Sequence, residues 1–254
     1  RDDITSVANN SRSKIITALL RSELEPGLGL PGSGQEVSIM RSTLVRTGIL
    51  IDEMGVAKIN LAPEDAYLAN MLKTIVSFIK EAQIHGEMSF GELYRRLTGP
   101  ECHIGMRKGL IPIYLAAVLH EFKQSVLITD RFGQVPTSTD VLLQINAEPD
   151  TFSVKYLDWN PEKEAFIGKL AELFQAHIID AEKASNSYDF VVGAMRRWYM
   201  SLPKYSKDMK RMIGGERVDS RYLAFMRLLR QNIGAHELLF QRLPEAFGYA
   251  PDFT

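Results

Sequence analysis

Chemistry needs particular side chains at particular spacings, and few stretches of this sequence offer them. Gly29-Leu-Pro-Gly-Ser-Gly34 has the glycine spacing of a phosphate-binding loop. That motif also requires Lys, then Ser or Thr, so that an ammonium meets the phosphates and a hydroxyl meets magnesium. Gln35-Glu36 follow instead, and the loop reads as an ordinary turn. The five histidines, at 85, 103, 120, 177 and 236, are too scattered for a metal site. His236-Glu-Leu-Leu-Phe240 lacks the second histidine that would put two imidazoles on one helix face. His120 and His177 fall in apolar helical stretches and read as core histidines held by backbone groups. Cys102-His103 is no nucleophile and base, because neighbours in extended chain point in opposite directions. With no Gly-x-Ser-x-Gly elbow and no isolated carboxylate pair, the chain reads as non-enzymatic, with no cofactor and no metal.

Cations make the better candidates. Arg107 and Lys108 stand between Gly105 and Gly109, where a flexible loop lets backbone N–H groups and a guanidinium approach one anion together. Arg131 falls in a hairpin turn, Asp130-Arg-Phe-Gly133. Between Ala194 and Gln231 ten cations face three carboxylates, a local +7 in a chain whose formal charge is −1. Arg196, Arg197, Lys204, Lys207, Lys210 and Arg211 head that segment, interleaved with Trp198, Tyr199 and Tyr205 as on nucleic-acid surfaces. The alternative is that the aromatics are core and the charges a solvated face. The partner these residues suggest is DNA, held through its backbone without sequence preference.

The elements that would carry these residues are mainly α-helical, with small β-hairpins. Three segments are expected: 1–62 helical with a winged-helix-like end, 63–157 a central winged-helix-like module, and 158–254 a helical bundle. In the first, helices over Ile4–Leu24 and Glu36–Gly48 precede a hairpin, Ile49–Ile51 with Val56–Ile59. In the second, Leu68, Met71, Leu72, Ile75, Val76 and Ile79 form one helical stripe. Ser89-Phe-Gly-Glu92 fits a capping box for the next helix, and Pro112 opens a third that is apolar on every side. Helix, helix, hairpin (Ser125–Val135), helix (Ser138–Asn146) and strand (Phe152–Tyr156) resemble a winged helix in their order. Leu110 to Leu119 offers only Tyr114 to a base edge, so sequence-specific readout by that helix is not expected. In the third segment, helices over Glu162–Ala181, Tyr188–Leu202, Ser220–Gln231 and His236–Leu243 make the bundle.

A chain of 254 residues, 45% hydrophobic, can build a proper core. No apolar run reaches the length a membrane helix needs, and a single cysteine suits a reducing compartment, so the expected location is the cytoplasm. The chain reads as a piece of something longer.

Pro100-Glu-Cys-His-Ile-Gly-Met-Arg-Lys-Gly-Leu-Ile-Pro112 carries a resemblance, as do Asn9-Asn-Ser-Arg12 with Ile15-Ile16 and the stretch from Gly32-Ser-Gly34 to Ser38-Ile39. There the chain resembles a region of very large bacterial P-loop ATPases found in phage-defence clusters, the BREX (bacteriophage exclusion) type. The resemblance runs roughly from Asn9 to Tyr156, with an echo at Leu238-Leu-Phe240 and Leu243-Pro244. No phosphate-loop lysine and no magnesium-binding aspartate motif can be matched to that family here. The resemblance therefore implies an accessory region, with the ATPase core elsewhere in the parent protein. The expected function is a non-catalytic nucleic-acid- or partner-binding region of an anti-phage defence ATPase, with other subunits or domains of a defence complex as partners. The alternative is a protein–protein scaffold that binds no nucleic acid.

Overall fold

The structure, a computed structural model, describes residues 6–100, 102–183, 188–211 and 214–251. It is mainly helical and divides into two compact units, the first running to Asp158 and the second starting at Trp159. Segments 1–62 and 63–157 do not stand apart, because one continuous core runs from Ile15 to Val154.

That core is arranged around α5 (Ile111–Glu121), in which every residue from Ile111 to His120 is buried. A helix apolar all round must be covered all round. Four elements share the cover: α1 (Ser6–Leu19), α3 (Ala66–His85), α6 (Thr139–Ala147) and β2 (Val56–Ile59). The expected start of α1 at Ile4 lies outside the described residues. Its buried face is Arg12, Ile15, Ile16 and Leu19. At the far end of α5, the His120 ring donates from Nδ1 to the Leu19 carbonyl at 2.9 Å, the core histidine anticipated from sequence.

α3 starts where the Asp65 side chain accepts from the Leu68 N–H and stops at Gly86, whose φ is +83°. Its buried stripe includes Met71, Leu72, Ile75 and Ile79, and extends to Phe78 and Ala82. Leu68 and Val76 are only partly covered, at the flank of the stripe. In α4 (Phe90–Thr98) half of the expected capping box forms: Ser89 Oγ accepts from Gly91 N–H. Glu92 turns away to Arg96, which also takes Glu81 of α3 in two hydrogen bonds, so the ion pair outcompetes the cap. Gly99 ends α4 where a Cβ would lie 2.6 Å from the Arg95 carbonyl oxygen.

The expected helix over Glu36–Gly48 is α2 (Gln35–Met40) widened into a π-helical turn, Arg41–Val45, before β1 (Leu50–Glu53) pairs antiparallel with β2. A four-stranded antiparallel sheet has the order β3 (Met88–Ser89), β6 (Ser153–Tyr156), β4 (Val126–Asp130), β5 (Gly133–Val135). Its fully buried central pair, Ile128 opposite Val154, faces the core.

Among the described residues the second unit is built of helices, with one antiparallel bridge between Arg211 and Arg217. α7 spans Pro161–Leu173, α8 Asp180–Lys183, α9 Asp189–Ser201, α10 Lys204–Asp208, α11 Ser220–Arg230 and α12 Leu243–Phe247. Phe240, in a π-helical turn from Glu237 to Arg242, anchors its core. Its ring meets Tyr188 edge-on at 5.4 Å and Trp159 at 5.9 Å, while His236 lies 5.2 Å away. The helix expected over Glu162–Ala181 breaks after Leu173. Phe174 turns into the core, and a 3-10 turn over Gln175–His177 follows with His177 only half-buried. Arg197 of α9 fixes that break by donating to the His177 carbonyl and to Glu182 of α8.

Two outcomes follow from α5. Leu115→Ala leaves a cavity in a fully buried site and should cost about 2–5 kcal/mol in chemical denaturation. Arg107→Ala, at an exposed loop position, should stay within about 0.5 kcal/mol of the parent; equal losses for the two would make Arg107 a structural brace. Burial, the larger influence, holds the His120 imidazole below its ordinary value of 6.5, although the Leu19 carbonyl favours the protonated ring. The unfolded chain then binds the extra proton. This contribution to stability is complete above about pH 6.5 and disappears as pH falls through the depressed folded value. Thermal melts of parent and His120→Gln between neutral and mildly acidic pH should show the larger acid loss in the parent.

Candidate functional site

The cationic segment builds its site from short pieces. α9 ends at Ser201, Pro203 opens α10, and the chain returns through a single antiparallel bridge between Arg211 and Arg217 before Asp219 caps α11. The Val218 N–H also donates to the Lys210 carbonyl at 3.1 Å. These contacts bring the bridge region against the last turn of α11. The result is a cleft of about 740 Å³ with Lys207, Lys210, Arg211, Arg217, Arg227 and Arg230 in its lining and Asp208 as the one carboxylate there. Its floor is apolar, with Val218, Leu223 and Met226. An adjoining recess of about 550 Å³ shares Asp208, Lys210 and Arg211 and adds Lys204, Tyr205 and Met209.

The cations of this cleft do two different jobs. Lys207 and Arg230 are tied to α9: Lys207 Nζ donates to the Met200 carbonyl at 2.9 Å, and Arg230 Nε donates to the Tyr199 hydroxyl at 2.6 Å. Asp208 Oδ1 lies 3.3 Å from Arg230, and the hydroxyl bond with this pair raises the guanidinium pKa. Lys204, Lys210, Arg211, Arg217 and Arg227 are all exposed and make no side-chain hydrogen bond or ion pair among the described residues. Four of these charges line the cleft and Lys204 the adjoining recess; like charges gathered in this way repel each other, and an anion would relieve that repulsion.

Arg196 and Arg197 are not part of this group. The sequence reading groups them with the surface cations of the segment, but both are half-buried within α9. Arg196 donates to the carbonyls of Gln231 and Ile233, and Arg197 is engaged by Glu182 at 2.9 and 2.7 Å and by the His177 carbonyl at 2.8 Å. They tie the unit together. Sequence reasoning missed Arg217, Arg227 and Arg230 as partners of Lys210 and Arg211. The spacing of Arg227 and Arg230 by three, which puts both on one flank of α11 beside Met226, was the available signal.

In the first unit, Arg107 and Lys108 are exposed on a loop that is itself firmly held. Tyr67 donates to the Ile104 carbonyl at 2.6 Å, Met106 N–H to Leu97 at 2.8 Å, and Arg12 to the Gly109 carbonyl at 3.1 Å. Gly105, at φ +58°, makes the turn that this pinning requires. Arg131 sits at the tip of the β4–β5 hairpin, its guanidinium 4.6 Å above the exposed ring of Phe132. Neither Arg107 nor Lys108 has a side-chain partner among the described residues. Both positions present positive charge, but as isolated points rather than a cleft.

A second concavity in the second unit has the opposite character. A groove of about 660 Å³ is lined by Phe166, Leu170, Phe174, Trp198, Phe225 and Phe247 among others, almost without polar surface. Among the described residues, no three of His, Cys, Asp or Glu gather to hold a metal, and no helix is long and apolar enough to cross a membrane.

The division between braces and free cations is measurable, because both tryptophans, Trp159 and Trp198, lie in the second unit and report its unfolding. In urea titrations followed by tryptophan fluorescence, Arg197→Ala should lose about 1–2 kcal/mol, a charged network discounted for partial exposure. Arg211→Ala should move by no more than about 0.5 kcal/mol. Comparison of the chain with family models, with curated proteins and with solved structures finds no match, so the geometry of these sites has to carry the functional argument.

Proposed function

We propose that this chain is a non-catalytic nucleic-acid-binding region that holds phosphates in the cationic cleft of its second unit. The observation that carries the reading is the gathering of Lys210, Arg211, Arg217 and Arg227 on the cleft, with Lys204 in the recess that adjoins it, all without a side-chain partner among the described residues. Cations on the surface for solubility alone gain nothing from being gathered, whereas a polyanion gains counterion release from each phosphate neutralised. Arg107, Lys108 and Arg131 would add backbone contacts from the first unit.

The first unit supports a winged-helix-like reading through the order α3, β3, α4, α5, then the β4–β5 hairpin. It departs from that pattern in two ways. β6, which follows α6, lies between β3 and β4. α5, the third helix of this series, is buried on every side with α1 among the elements packed on it, so it has no open face to turn to a DNA groove. The first unit is therefore proposed as a scaffold with exposed cationic tips rather than a base reader. Its resemblance to BREX-type ATPases supports placing the chain beside the nucleotide-binding core of a large phage-defence protein in the bacterial cytoplasm.

The apolar groove favours a second reading, a protein–protein interaction module, since a contiguous apolar concavity of this size is uncommon on a surface that meets only water.

Fluorescence anisotropy with labelled oligonucleotides separates the two. The parent should bind with an affinity that falls steeply as salt rises. Reversing Lys210, Arg211, Arg217 and Arg227 to Glu should abolish binding at low salt while the tryptophan-detected urea transition is kept. Unchanged affinity in the reversed protein would transfer the argument to the interaction-module reading.

A further inference from the structure

The recess beside the cleft contains a feature that phosphate binding alone does not use. Tyr205, on α10, is 68% exposed and lines that recess with Lys204, Met209, Lys210 and Arg211. Its side chain makes no hydrogen bond or ring contact among the described residues. The other aromatics around it are employed: Tyr199 takes the Arg230 bond, Tyr222 donates to the Ser206 carbonyl, and Trp198 packs between Phe174 and Phe225. An aromatic ring left open to water, with three uncompensated cations in the same recess, is suited to a ligand that carries both a flat apolar face and a negative charge.

We infer that the recess accepts one base of a single-stranded nucleic acid, stacked on Tyr205, while its flanking phosphates lie against Lys204, Lys210 and Arg211. This rests on the phosphate-binding reading of the cleft and narrows its ligand from nucleic acid in general to an unpaired strand. A duplex keeps its bases stacked on one another, so it can offer the cations its phosphates but offers Tyr205 no free face. A single strand offers both, and base–aromatic stacking tolerates any base because every base has a π-face. Met209 extends the apolar surface beneath the base. Asp208, the carboxylate of the recess, is offset by Arg230 3.3 Å away and so does not cancel the three cations. DNA and RNA strands share this chemistry, since no group in the recess is committed to a 2′-hydroxyl.

The test uses the full chain and labelled oligo(dT), oligo(rU), an abasic strand and a duplex, each of about 12 nucleotides. The parent should bind oligo(dT) and oligo(rU) more tightly than the duplex or the abasic strand at equal salt. Tyr205→Ala should weaken both homopolymers about tenfold and change the duplex and abasic strand by less than about twofold. Tyr205→Trp should restore homopolymer binding. Exposure of Tyr205 makes misfolding an unsuitable explanation for any loss, and the tryptophan-detected urea transition checks it. Equal losses on all four ligands, or none on the homopolymers, would overturn the single-strand inference while leaving phosphate binding intact. Retained binding after reversal of Lys210, Arg211, Arg217 and Arg227 would instead overturn the phosphate reading beneath it. A preference for oligo(rU) over oligo(dT) that is lost with Tyr205→Ala would overturn the absence of 2′-hydroxyl selection in the recess.

Discussion

The requirement to bury α5 on every side organises the first unit. Ten consecutive buried residues, Ile111 to His120, leave no face for solvent, so the chain must supply cover from several directions. α1 is brought back across nearly a hundred residues of sequence to do so. Its position is fixed by two polar contacts at opposite ends: Arg12 to the Gly109 carbonyl and the Leu19 carbonyl to His120. The loop before α5 is thereby rigid in its backbone while Arg107 and Lys108 remain open to solvent.

Arg12 shows how much this arrangement depends on backbone groups. It is only 8% exposed, and among the described residues its guanidinium donates to Asn9 Oδ1 and the Gly109 carbonyl and to no carboxylate. Burial lowers its pKa, opposed by the neighbouring Tyr94. Holding a cation on neutral oxygens is costly, and the cost is carried by the packing of α1 against α5. The second unit solves a similar problem differently. There Arg196, Arg197 and Arg230 are satisfied by carbonyls, a carboxylate and a hydroxyl, and the uncompensated charges are concentrated beyond them.

Periodicity made the helices legible, because a single apolar stripe such as Met71, Leu72, Ile75 and Ile79 has few other interpretations. The ends were less legible wherever a long-range contact chose them. The break after Leu173 is set by Arg197 and Glu182, and no local residue announces it. Glu92 satisfied a capping pattern in sequence but found a better partner in Arg96. In the cationic segment, charge count was visible and charge role was not. Arg196 and Arg211 are equivalent as letters, and only the fold shows that one faces the carbonyls of Gln231 and Ile233 and the other faces open space.

The cleft stands on the least regular part of the second unit, and that follows from what a cation needs in order to stay unpaired. Within a long helix, an Arg or Lys meets carboxylates three or four residues away, or snorkels along its neighbours. Lys210, Arg211 and Arg217 instead lie on extended chain joined by one bridge, where successive side chains diverge and none of the three meets a carboxylate among the described residues. The chain on either side of it is tied to the last turn of α9, by Lys207 to the Met200 carbonyl and by Arg230 to the Tyr199 hydroxyl. A substitution at Tyr199 that loosens Arg230 would therefore disturb the lining of the cleft from outside it.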